Sequence, residues 1–155
     1  EGGSLTAGNS SQISDGASAV VVTTRGVAAQ KGWGVLATVG ASGQTAGPDN
    51  SLHAQPARAI EQACEKQGIA PADLDLVEIN EAFGAVVARS QSELGLDSAI
   101  VNIHGGGIAI GHPIGASGNR LVVHAVHELT RRGSGVAAVG LCGGGGQGEA
   151  LILTR

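Results

Sequence analysis

The sequence predicts an α/β fold in which a mostly parallel sheet, closed by an antiparallel final strand, carries helices. Two observations point there. Short apolar runs alternate with longer amphipathic stretches, the pattern of strand–helix units stacked into one layer. The apolar content is aliphatic, with Trp33 and Phe83 the only aromatics, so the core is built from Val, Ile, Leu and Ala, as in strands buried under helices. At 155 residues the chain is long enough for one domain with a sizeable core and too short for two.

Taken in order, residues 5–15 are rich in Ser, Gly, Asn and Thr and read as a loop. The valines of 16–24 predict a buried strand, 25–31 a helix, and 34–41 a second strand. A polar stretch then leads to Ser51, the expected N-cap of a helix over 53–67 that Gly68 ends. Residues 71–75 form a turn, 76–79 a buried strand, and 81–94 an amphipathic helix stopped by Gly95. Residues 100–103 are strand-like again. The glycine-dense loop 104–118 gives way to a helix through Arg132, closed by Gly133. Two apolar runs, 136–141 and 149–154, flank the glycine turn 143–148 and read as adjacent strands.

Composition excludes several functions. The net charge of −4, with no Lys/Arg run, gives no footprint for nucleic acid. No segment reaches the roughly 18 apolar residues of a membrane span, and no signal segment opens the chain, so a cytoplasmic protein with no membrane partner is expected. Two cysteines are too few for a disulfide scaffold and lack metal-type spacing, so no metal is expected. The chain opens Glu1-Gly2-Gly3-Ser4 without methionine, which predicts a piece of a longer polypeptide. Its 27 glycines are well above the usual share of roughly 7%, have no collagen period, and gather in turns and loops.

Polar groups stand where predicted strands end. Asn80 follows 76–79 directly, His112 lies in the glycine loop, and Cys142 runs into the last glycine turn. In α/β sheets such loops converge on one edge, where ligands bind. A histidine, a thiol and a carboxamide there suffice for proton transfer and oxyanion stabilisation in acyl transfer. Singly, each has a plainer reading: a capping asparagine, a solvated histidine, a small buried cysteine. A dinucleotide-binding reading of the glycine loop fails for want of a suitably placed acidic residue.

Four segments resemble, in order, the C-terminal signatures of thiolases. They are Thr6-Ala7-Gly8-Asn9-Ser10-Ser11, Asn80-Glu81-Ala82-Phe83, the run Gly105-Gly106-Gly107 through Gly111-His112-Pro113 to Gly118, and Cys142-Gly143-Gly144-Gly145-Gly146. The resemblance covers essentially the whole chain. It implies a thiolase-like C-terminal half, 1–155, with a mixed five-stranded sheet and helices on both faces. The half that carries the acyl-accepting cysteine is then missing. The family's two halves share a helical layer and assemble as oligomers, so the resemblance implies two partners besides acyl-CoA: the missing half and further copies.

By the same resemblance His112 is base and oxyanion donor, and Cys142 is the second, acid/base cysteine, with surroundings expected to favour its thiolate. Asn80 holds an oxyanion-hole water, and the Gly144 N–H serves a second oxyanion hole. Ser11 contacts the pantetheine arm, a loop hydroxyl bonded to local backbone being its equal alternative. Phe83 lies on the substrate side, with core packing beside the site as its plainer role. Glu81 orients Asn80 or caps a helix, and Cys64 is structural. The coenzyme A thioester is substrate, and no resident cofactor is implied. Ketoacyl synthases lack the second cysteine, so Cys142 argues against them. A non-catalytic acyl-CoA- or lipid-binding module is disfavoured by the joint presence of His112, Cys142 and Asn80. Gly84, His104 and Gln12 depart from the family pattern and bear on acyl length.

Overall fold

The computed structural model describes residues 2–155. Helices α1 (Arg25–Lys31), α2 (Gln55–Gln67), α3 (Gly84–Leu94), α4 (Gly107–Ile110) and α5 (Ile114–Arg132) accompany strands β1 (Thr38–Ala46), β2 (Leu76–Ile79), β3 (Val136–Gly143) and β4 (Gln147–Thr154). The strands form one sheet in the order β1-β4-β3-β2, with β2 parallel to β3 and the other pairs antiparallel. The α/β class and the mixed sheet are as expected.

Alternation along the strands sorts side chains onto two faces. Val77, Ile79, Ala138, Ala150 and Ile152 join Ala57, Ile60 and Ala63 of α2 in one core, to which Val86 and Leu94 of α3 also belong. Leu76, Ala137, Val139 and Leu153 meet Leu121, Ala125 and Leu129 of α5 in the other. Helices therefore cover both faces. Gly68, Gly95 and Gly133 end α2, α3 and α5 in left-handed conformations, as their positions predict.

The sheet has four strands rather than the five that the resemblance implies, and two of the six strand-like runs of the sequence form no strand. Residues 16–24 form no strand: Val21 and Val22 are 82% and 73% exposed, because no edge of this sheet lies beside them. Residues 100–103 hold a single bridge from Val101 to Val77 after a short 3-10 turn. Asn102 takes over from there at positive φ. Its side-chain carbonyl accepts from Ile79 N–H at 2.7 Å, and its amide donates to the Ile79 carbonyl at 2.9 Å. One carboxamide thus replaces a strand's hydrogen bonds at the end of β2.

The second strand starts later and runs longer than expected, Thr38–Ala46 instead of 34–41. Gly43 marks a close approach within the strand, since a Cβ there would collide with the Ala59 carbonyl of α2. Helix α2 starts at Gln55 with Ala54 at the N-cap, so Ser51 does not cap it. Ser51 N–H instead donates to Asp49. Helix α3 starts at Gly84, three residues later than expected, which frees Asn80 to Phe83 as loop. No helix among the described residues is long and apolar enough to cross a membrane.

Candidate active site

The site grows from the C-terminal end of β2. The Asn80 backbone N–H continues the ladder to the Gly140 carbonyl of β3 at 2.9 Å, and Asn80 is 1% exposed. Glu81 then turns away from it. One carboxylate oxygen accepts from the Asn102 amide at 2.9 Å and the other from Ile108 N–H at 3.1 Å, in the first turn of α4. Gly106 and Gly107 lie so close to Glu81 that a Cβ on Gly106 would sit 2.8 Å from its carboxyl carbon. Glu81 therefore holds down the glycine loop, the capping role of the two expected; among the described residues no hydrogen bond joins it to the Asn80 side chain.

That loop delivers His112. Gly111, at φ 92, leaves no room for a side chain against Ser14, and His112 N–H donates to the Gln12 carbonyl at 2.9 Å. The imidazole is held from both ends: Nδ1 is 2.6 Å from Ser117 Oγ, and Nε2 is 3.2 Å from Asn80 Nδ2. The protonation pattern follows. Ser117 donates to the Pro113 carbonyl at 3.0 Å, which can only accept, so Ser117 Oγ accepts from Nδ1–H. Nε2 then carries a lone pair toward Asn80, whose amide donates to it. Burial, and after it the charge of Arg120, hold the imidazole below its usual pKa, so His112 is neutral at pH 7 and able to take a proton. Asn80 Oδ1 is buried without a hydrogen-bond partner among the described residues and is an acceptor able to hold a water.

Cys142 stands two residues beyond Gly140 on β3, about 7 Å along the strand. It packs with Phe83 against the α2-side core. Its surroundings do not favour the thiolate: burial pushes the thiol up, and its own backbone amide offsets this only in part. This corrects the expectation drawn from the glycine turn, because neighbouring N–H groups count less than lost solvation. Protonated at rest, the thiol suits an acid. Gly144 lies in the exposed hairpin loop, with open space where a Cβ would be.

The remaining residues divide. Ser11 sits beside the site, its N–H and hydroxyl both directed to the Ala82 carbonyl at 3.0 and 3.2 Å, a tertiary bond that ties the opening loop to the Asn80–Phe83 segment. Phe83 is half-buried in the N-cap position of α3. Cys64 is 1% exposed within α2, its thiol pushed up by burial and by Asp73 and Glu61. Sequence reasoning missed Ser117 and Asn102. A hydroxyl one turn into a helix that follows a histidine, and an asparagine inside a short strand-like run just before glycines, were the available signals.

A neutral histidine bonded to a carboxamide, with a protonated thiol at the same sheet edge, is the equipment of acyl transfer through proton shuttling and oxyanion binding. The family described as Thiolase, C-terminal domain, matches residues 33–155. A probable acetyl-CoA acetyltransferase of Mycolicibacterium smegmatis is 56% identical over 153 residues, 99% of this chain and 39% of the relative. The acetyl-CoA acetyltransferase of Paracoccus denitrificans is 47% identical over 154 residues, again 99% and 39%. Among solved structures, the Bacillus anthracis acetyl-CoA acetyltransferase superposes with a TM-score of 0.93 at 40% identity, covering 97% of this chain and 38% of that one. Human mitochondrial 3-ketoacyl-CoA thiolase in complex with CoA gives 0.88 at 36%, with the same coverage. The chain belongs to the thiolase family and corresponds to its C-terminal domain. It spans about 39% of the length of these curated relatives.

Proposed function

We propose that this chain is the acid/base and oxyanion half of a thiolase acting on acyl-CoA. The reaction is condensation of two acetyl-CoA to acetoacetyl-CoA and CoA, or the reverse thiolysis of a 3-ketoacyl-CoA. The observation that carries the reading is the Ser117–His112–Asn80 hydrogen-bond chain, which fixes a neutral imidazole with its Nε2 lone pair at the sheet edge that also holds Cys142. In this reading an N-terminal half supplies the nucleophilic cysteine, whose proton passes to His112 Nε2 as its sulfur attacks the thioester carbonyl. Cys142 gives its proton to the departing CoA thiolate. As a thiolate, it then removes a proton from the methyl group of the second acetyl-CoA; the carbanion attacks the acyl-enzyme carbonyl, and the nucleophilic cysteine leaves as thiolate and takes its proton back from His112, releasing acetoacetyl-CoA.

His112 Nε2–H and a water on Asn80 Oδ1 hold the thioester oxygen while negative charge develops, and the Gly144 N–H serves the tetrahedral oxygen. Coenzyme A enters and leaves as substrate, Ser11 and Phe83 lie on its side of the site, and oligomerisation follows the family habit.

In the complete enzyme His112→Ala should lower kcat by several orders of magnitude, because base and donor are lost together. Asn80→Ala should cost roughly 10- to 1000-fold, since it acts through water. A His112→Ala enzyme with near-normal kcat would remove the reading. Acyl-CoA binding without turnover, with the nucleophilic half present, would replace it with a non-catalytic binding module.

A further inference from the structure

The Asn80 side chain is held by one bond. Its Nδ2 lies 3.2 Å from His112 Nε2, and its Oδ1 has no hydrogen-bond partner among the described residues, so the direction of the carboxamide depends on the backbone that carries it. That backbone leaves β2, an edge strand of the sheet. On the inner side the ladder to β3 continues through the Asn80 N–H. No strand covers the outer side, and there Asn102 takes hold.

Asn102 bonds to three alternate residues. Its N–H donates to the Val77 carbonyl at 2.9 Å, its side chain makes the two bonds to Ile79, and its amide donates again, to Glu81 Oε1, at 2.9 Å. Ile79 and Glu81 are the residues on either side of Asn80. The second Glu81 oxygen accepts from Ile108 N–H at 3.1 Å, in the loop that leads to His112. One side chain is therefore tied both to the strand that carries Asn80 and, through Glu81, to the loop that carries His112. The choice of residue follows from the same bonds. Ile79 N–H can only donate and the Ile79 carbonyl can only accept, so the position needs one acceptor and two donors on a short planar group. An ionised aspartate has no donor and a hydroxyl has only one. The backbone there has φ 46, a conformation that asparagine tolerates better than most residues other than glycine.

We propose that Asn102 is a positioning residue of this site, fixing the Asn80 carboxamide against His112 by gripping both residues that flank Asn80. Its effect on turnover rests on the thiolase reading. Its effect on the contact between Asn80 and His112 does not.

The first test is NMR on this chain with Asn102→Gly, which keeps the left-handed backbone and removes the three side-chain bonds. In the wild type the Asn80 side-chain amide signal should shift as His112 titrates, and in Asn102→Gly that response should be lost. A role confined to folding would lower stability and leave the response in place. In the complete enzyme Asn102→Gly should lower kcat roughly 10- to 100-fold with KM little changed. Most of that loss should disappear in an Asn80→Ala background, because both changes act through one group. A donor–acceptor exchange decides the matter if Asn102→Gly does not fold. Asn102→Asp alone sets two carboxylates against each other, whereas Asn102→Asp combined with Glu81→Gln remakes the bond between the two positions in the opposite direction, and both the amide response and kcat should largely return. An unchanged amide response in folded Asn102→Gly, kcat losses that multiply with Asn80→Ala, or a double variant as impaired as Asn102→Asp overturns the proposal. The expected amide responses in a complete enzyme without thiolysis overturn the thiolase reading alone.

Discussion

Glu78 on β2 and Glu128 on α5, 1% and 3% exposed, respond to acid with opposite sign. Burial raises Glu78 to about 7, against the opposing charge of Arg120. The folded state then holds that proton more tightly than the unfolded chain, whose glutamates titrate near roughly 4.3. Stability from this group is present below about 4.3 and lost as pH rises to about 7. Glu78→Gln should therefore raise stability to urea at pH 8, on the order of 3 kcal/mol, and change little at pH 4. Equal midpoints at pH 8 would mean that Glu78 is not held protonated. Hydrogen bonds from Arg131 and Arg132 hold Glu128 down to about 2, so its contribution is complete above about 4.3 and fades as pH falls toward about 2. Glu128→Gln should flatten that acid loss. The two cysteines also separate. Both thiols are pushed up by burial, but Cys142 is half-buried and Cys64 sealed. Brief iodoacetamide treatment followed by peptide mass mapping should find label on Cys142, growing with pH, and in the complete enzyme acyl-CoA should protect it. Preferential labelling of Cys64 would place the acid/base cysteine elsewhere.

Packing of elements turns on where glycine lets backbone meet backbone. At Gly43 β1 touches α2, and a Cβ would strike the Ala59 carbonyl, which cannot rotate away. Gly43→Ala should cost about 1–3 kcal/mol or more in urea unfolding, while Gly34→Ala, with open space around it, should be near neutral. Equal effects would mean that β1 and α2 are not in contact. That glycine also explains an error of reading: Gly40 to Gly47 contains three glycines, which look like turn chemistry, yet most of it is strand. Strand β2 and the helix stops at Gly68, Gly95 and Gly133 were legible because local apolar runs and left-handed caps are local physics. Partner-dependent elements were not. Whether valines at 20–22 form a strand depends on an edge that this sheet does not offer, and the loss of a strand at 100–103 depends on Asn102 satisfying Ile79 in its place. Likewise His112, Asn80 and Cys142 stood out from their strand-end positions, whereas the Ser117 bond and the Arg120 charge exist only once α5 is folded against the loop.

At the scale of the whole molecule, exposed apolar side chains flank the site. Ile110 and Ile114, 66% and 77% exposed, bracket His112, and Ile13, 95% exposed, bridges to it. Exposed apolar groups at a site are the kind of surface that marks an interface, in keeping with the proposed N-terminal half docking over the site. Neither cysteine of this chain suits the role of acyl acceptor: Cys64 is sealed in α2, and Cys142 is assigned the acid/base step. The covalent route of acyl transfer then needs a sulfur from elsewhere. The direct measurement is thiolysis of acetoacetyl-CoA by this chain alone and by the same chain joined to a thiolase N-terminal half. The account predicts no turnover by the chain alone and turnover by the joined protein that is lost in His112→Ala; thiolysis by the isolated chain would contradict it.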